Sequence, residues 1–193
     1  MWTERTRTES RLAPPSRRRY KRWLMDDEQL ITEFVATFPI LGEVHAFKLT
    51  SDKSWLSSLS SRLPAPLPPL YERLILSYRW SDEVELGRLR LLPNPGILDF
   101  IGLTQEIFAD EGLVESLIPG GFIQFGKGPD VTHDPVCFDS RGSHREDRDY
   151  RIVRIDHEGI LCWSRIRKPA EIAPSFRELM LQIIADAKAK EKT

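Results

Sequence analysis

The sequence predicts an α+β domain, and three observations predict it. Apolar residues recur at helical spacing through the first part of the chain, a run of short segments rich in β-branched and aromatic residues follows, and a capped amphipathic helix closes it. That order lacks the strand–helix alternation that builds a parallel sheet. At 193 residues the chain can bury a sizeable core, and 40% hydrophobic with 30% charged residues argues against wholesale disorder.

Charge divides the chain. Residues 1–22 hold eight Arg and Lys against Glu4 and Glu9, a formal +6, so the remainder carries −7 of the net −1. Pro14-Pro15 resists helix and no hydrophobic period is present. Residues 1–24 therefore read as a disordered basic arm ahead of one domain over 25–190. The cluster Arg17-Arg18-Arg19-Tyr20-Lys21-Arg22 suits nucleic acid or an anionic membrane, or is a solvated tail. An acidic body favours a basic partner over nucleic acid.

Asp26-Asp27 suit a helix N-terminus, and Leu30, Ile31, Phe34, Val35 and Phe38 follow at helical spacing. Val44, Ala46 and Phe47 within Gly42–Thr50 predict a strand. Ser51–Arg62 predicts a short helix with Trp55, Leu56 and Leu59 on one side. Pro68-Pro69 open another, with Leu70, Leu74, Ile75 and Tyr78 along a face. Val84, Leu86, Leu89 and Leu91 predict a strand ended by Pro93-Asn94-Pro95-Gly96. Two short helices are expected in Ile97–Ile118, broken near Asp110-Glu111-Gly112. Four strands are expected at Phe122–Phe125, Pro135–Asp139, Tyr150–Asp156 and Ile160–Trp163, the last two as a hairpin through His157-Glu158-Gly159. Ser175 with Glu178 fits a capping box for a closing helix lined by Phe176, Leu179, Met180, Ile183, Ile184 and Ala187.

Three stretches, in this order and spacing, resemble the SUKH superfamily, the group of fungal cell-wall synthesis regulators and bacterial immunity proteins. The first is Leu67-Pro68-Pro69-Leu70-Tyr71 with Leu74 and Tyr78. The second is Phe122-Ile123-Gln124-Phe125-Gly126, a turn, then Val136-Cys137-Phe138-Asp139. The third is Val153-Arg154-Ile155-Asp156-His157-Glu158 with Pro174-Ser175-Phe176-Arg177-Glu178-Leu179 downstream. The likeness spans residues 54–185. The chain departs from it at Arg79-Trp80-Ser81, in the long turn Gly126–Asp134, and in its first ~50 residues. The resemblance implies a mixed, largely antiparallel sheet flanked by helices, and action by binding: bacterial relatives clamp a toxin, fungal ones act as scaffolds. Fold by itself does not settle function.

Enzymatic readings rest on the polar loops. His133, Asp134, Asp139, His144, Asp147, Asp149, Asp156 and His157 supply types that ligate a divalent metal and activate a water for hydrolysis. No two histidines have helical i, i+4 spacing, and Arg141, Arg145 and Arg148 interleave the acids, which favours a salt-bridged loop. Gly126-Lys127-Gly128 lacks the remaining pattern of a phosphate loop. Cys137 and Cys162 sit in apolar segments expected to be strands, where a thiol is inert, and a reducing cytoplasm favours free thiols over a disulfide. The expectation is therefore a cytoplasmic binding module without catalytic residues, metal or cofactor. Trp80 at a helix exit either caps the core under the next strand or, with Asp82, Glu83, Glu85, Asp130, Asp134 and Asp139, forms the expected contact set for a basic protein partner. No apolar run of ~20 residues long enough for a membrane span is present.

Overall fold

Helix α1 (Asp27–Val35) begins where the acids predicted, with Asp26 accepting a hydrogen bond from the Gln29 N–H at 2.8 Å. The computed structural model describes residues 25–48, 54–95, 101–129, 133–141 and 149–192; the expected basic arm, Asp130, His144 and Asp147 lie outside them. A short α2 (Phe38–Leu41) follows, then β1 (Phe47–Lys48), α3 (Ser54–Ser60) and α4 (Pro69–Ser77), the last opened by the expected proline pair.

The chain then builds a sheet. After β2 (Tyr78–Arg79), which pairs with β1, come β3 (Val84–Glu85), β4 (Arg90–Leu91), α5 (Ile101–Ile107), α6 (Glu111–Leu117), β5 (Phe122–Lys127), β6 (Pro135–Asp139), β7 (Arg151–Arg154), α7 (His157–Trp163), β8 (Ala170–Ala173) and α8 (Phe176–Lys190). Strands β3 to β8 lie in sequence order, and every pairing among the described strands is antiparallel. The fold is thus the expected α+β type, with helices against an antiparallel sheet.

Two expectations fail, each for a physical reason. Val84–Leu92 is a tight hairpin and not one strand. The Leu86 N–H donates to Leu89 O at 2.8 Å, and Gly87 adopts φ +72°, open to glycine without strain. The three-residue step from Leu86 to Leu89 breaks the period of two, and both halves still face the core. Ile160–Trp163 belongs to helix α7 and not to a strand. Asp156 caps that helix by accepting from the Gly159 N–H at 3.2 Å, so the expected hairpin turn is a helix start. The strand that pairs with β7 is β8, which sequence reading missed.

Alternation along the strands gives the sheet two apolar faces. Ile123, Phe125, Val136, Phe138, Ile152 and Ala173 face the larger core with α1, α4 and α8. Phe125 and Phe138 stack at 4.2 Å between centroids, with Tyr71 and Phe176 edge-on to both. Phe122, Cys137 and Val153 point the other way, into a smaller core closed by Leu113 and Leu117 of α6, Ile160 of α7 and Ile166. Ser175 caps α8 through the Glu178 N–H at 3.1 Å, as expected. Among the described residues no helix is long and apolar enough to cross a membrane.

Candidate functional site

The described members of the expected contact set do not form one surface. Trp80 is 1% exposed. It sits edge-on to Phe38 at 5.6 Å and donates its indole N–H to Leu92 O at 2.8 Å. Asn94 pairs with its backbone and ties Ile75 O and Tyr78 O at 3.0 and 2.7 Å. The indole is a core plug with its polar atom satisfied, so it offers a partner no anchor. Asp139 is likewise buried. Glu83 is engaged by Lys127 and, at 3.5 Å, by Arg90. Asp82 and Glu85 are exposed, and Asp82 accepts from Ser81 Oγ at 2.7 Å. Asp134 belongs to a different neighbourhood, at the start of α7.

There, three polar residues converge. Asp134 Oδ1 accepts from the His157 backbone N–H at 3.1 Å and from its Nδ1 at 2.8 Å. Asp156 caps the same turn. One ligating atom from each of Asp134, Asp156 and His157 lies within 4.8 Å of the others, the constellation a divalent cation would need. Arg154 stands 3.9 Å from Asp134 and Arg167 3.9 Å from Asp156. The carboxylates therefore cap a helix and pair with guanidinium groups, which opposes a further cation. His133, next to Asp134 in sequence, is held at φ +55° with Arg90 donating to its Nδ1 at 2.9 Å and is not one of the converging trio.

Helix α7 leaves two large apolar side chains in water: Leu161 is 51% and Trp163 67% exposed. Sequence reading placed both in a buried strand. The 3.6-residue turn instead buries Gly159 and Ile160 and turns Leu161, Cys162 and Trp163 outward. Ser164, at φ +49°, ends the helix, with its N–H and that of Arg165 returning to Ile160 O and Gly159 O at 2.8 and 3.1 Å. The next loop alternates: Ile166 packs into the smaller core while Arg165, Arg167 and Lys168 are exposed. Capped at its start and tucked in at its end, α7 is a fixed platform for an exposed indole.

Beside this loop lies a groove of about 730 Å³ lined by Asp139, Arg141, Arg151, Val153, Lys168, Pro169, Ala170 and Glu171. Asp139 at its base has a side chain 1% exposed and carries two arginines. Arg141 gives it the backbone N–H (3.2 Å), Nε (2.9 Å) and Nη2 (3.2 Å), and Arg151 gives Nη2 (3.0 Å). Burial raises the Asp139 pKa. The Arg141 hydrogen bonds, with the charges of Arg141 and Arg151, more than reverse that and hold it below the usual carboxylate range. Burial, then the nearby Asp139 charge, pushes the Cys137 thiol far up, so it stays protonated. Cys162 is exposed, and both cysteines are free. The signal for the groove was present in the Asp139–Arg141 spacing, but the partner Arg151 comes from the next strand.

Comparison with known proteins finds no matching family model, no matching curated protein and no matching solved structure.

Proposed function

We propose that this chain is a protein-binding module acting without catalysis, of the kind its SUKH-like motifs imply: an immunity protein that neutralises a toxin, or a regulatory scaffold. The observation that carries the reading is the pair Leu161 and Trp163, exposed on a helix fixed at both ends. An exposed, pre-positioned tryptophan followed by the exposed Arg165 and Arg167 has the composition of an interface hot spot. It loses little conformational entropy on binding, because the helix beneath it is already held. The polar groups that a hydrolase would use are engaged in capping and ion pairs, which supports the same reading.

The test begins with recovery of a partner by the tagged full chain from its host, or rescue of a co-expressed neighbouring toxin. The partner is then purified and titrated against Leu161→Ala and Trp163→Ala. Losses of about tenfold or more are expected, the scale of a truncated aromatic anchor. Because Trp163 is mostly solvated, its replacement should leave the melting temperature nearly unchanged. A partner, or a rescued toxin, that meets both variants with wild-type strength would overturn the assignment of this face.

A further inference from the structure

The smaller core covers its sheet face only as far as Phe122, Cys137 and Val153. Beyond them the same face continues into charge. Asp139 pairs across the strands with Arg151, while Val153 pairs with Glu171. Arg141 lies over the Phe122 ring at 4.1 Å, room for it being made by Gly121, where a Cβ would stand 2.6 Å from Arg141 Cγ. The two guanidinium groups are thus anchored from below by a buried carboxylate, yet their side chains are 48% and 53% exposed. Lys168 adds an exposed ammonium on the β8 side.

Among the described residues, the charges of this groove do not cancel. Asp139 is buried and already accepts four donors, so it offers an incoming group nothing. Glu171, the other acid lining the groove, reaches Arg151 only at 3.9 Å. Against them stand Arg141, Arg151 and Lys168, and the loop leading toward Trp163 adds Arg165 and Arg167. A carboxylate is the complement of such a fork, because a guanidinium can donate to both of its oxygens at once.

We infer that the groove between β6, β7 and β8 receives carboxylate side chains of an acidic segment of the partner protein, which then continues toward the Trp163 platform. This rests on the reading of the protein as a binding module. It reverses the partner's charge: of the expected contact acids, Glu83, Asp134 and Asp139 are engaged in ion pairs, while the exposed charge of the described groove is positive. The chain's overall acidity is carried elsewhere on its surface.

The test uses the full chain and a fluorescein-labelled hexaglutamate peptide, read by anisotropy at low and moderate salt. Binding that weakens with salt is expected. Lys168→Glu, at a residue without a structural partner among the described residues, is expected to weaken it at least tenfold, and Glu171→Gln to tighten it two- to fivefold. A labelled hexathymidylate of similar charge is expected to bind more weakly. Hexaglutamate binding absent up to millimolar protein, or unmoved by Lys168→Glu, overturns the proposal, as does tighter, Lys168-dependent binding of the oligonucleotide. Trp163→Ala is expected to leave hexaglutamate binding intact. Failure of the peptide together with a Trp163-dependent partner complex therefore removes the groove alone. Peptide binding beside a partner complex indifferent to Trp163 removes the α7 face alone.

Discussion

Asp134 fastens the first turn of α7 to the sheet: one carboxylate oxygen accepts both the backbone N–H of His157 at 3.1 Å and its imidazole Nδ1–H at 2.8 Å. The two residues are 23 apart in sequence. Together with the Asp156 cap, the contact holds the start of the helix that carries the exposed Trp163.

Replacing Asp134 with Ala should therefore cost about 1–2 kcal/mol, the usual scale for hydrogen bonds to a partly buried carboxylate. Urea unfolding measures it. Amide exchange in α7 should accelerate more than in α8, which is packed independently against the larger core. Equal protection in the two helices would show that Asp134 does not hold α7.

Because Asp134, Asp156 and His157 are committed to capping and ion pairs, zinc or manganese at a few equivalents should leave the melting temperature within about 1 °C of the metal-free value. A rise of several degrees that Asp156→Ala abolishes would restore the metal-assisted hydrolase reading.

The Asp139 carboxyl gives a signed pH dependence. Its pKa in the folded chain lies below the unfolded value of about 3.9, so its stabilisation is complete above that value and is lost as pH falls through the folded one. Asp139→Asn should cost about 2 kcal/mol at neutral pH, the scale of charge-assisted hydrogen bonds. The gap to wild type should close progressively below about pH 4. A gap that stays constant down to pH 2 would mean the carboxylate charge contributes nothing.

Tyr71 is fully buried among Phe125, Phe138 and Phe176, and its hydroxyl has no hydrogen-bond partner among the described residues. Burial alone pushes its pKa far up, so it stays neutral. Tyr71→Phe removes an unpaired polar atom while keeping the ring, and should stabilise the protein by about 1 kcal/mol. Destabilisation on chemical unfolding would show that the hydroxyl is satisfied in solution.

The cysteines should titrate separately. Cys162 is exposed and Cys137 buried, so the native protein should show one thiol reactive toward a disulfide reagent and the unfolded protein two. Two fast native thiols would contradict the burial of β6.

Much of this architecture was legible locally. The caps at Asp26 and Ser175, the proline entry to α4 and the apolar stripe of α8 follow from residues within a turn or two of each other. The β3–β4 turn was legible too, in the broken alternation between Leu86 and Leu89, but two local patterns had to be separated to see it. Trp80 had two readings, partner anchor or core plug, and the structure makes it the plug; nothing near it in sequence shows that Leu92 O and Asn94 meet it from beyond a hairpin.

The sequence by itself determined the class of fold, the helix starts that carry their own caps, and the strand segments of the sheet's centre, because propensity, period and capping act over a few residues. Tertiary structure alone decided which side chains of Ile160–Trp163 face solvent and where the cations stand. The segment is a helix because Asp156 caps its start locally, and Asp134, brought alongside by the sheet, accepts a further backbone N–H and the imidazole of its first turn. Arg141 and Arg151 became neighbours because β6 and β7 pair in a register that puts Asp139 opposite Arg151. Hydrogen-bond complementarity between distant segments outweighs local preference where the two conflict, and it is expressed only once the sheet has formed.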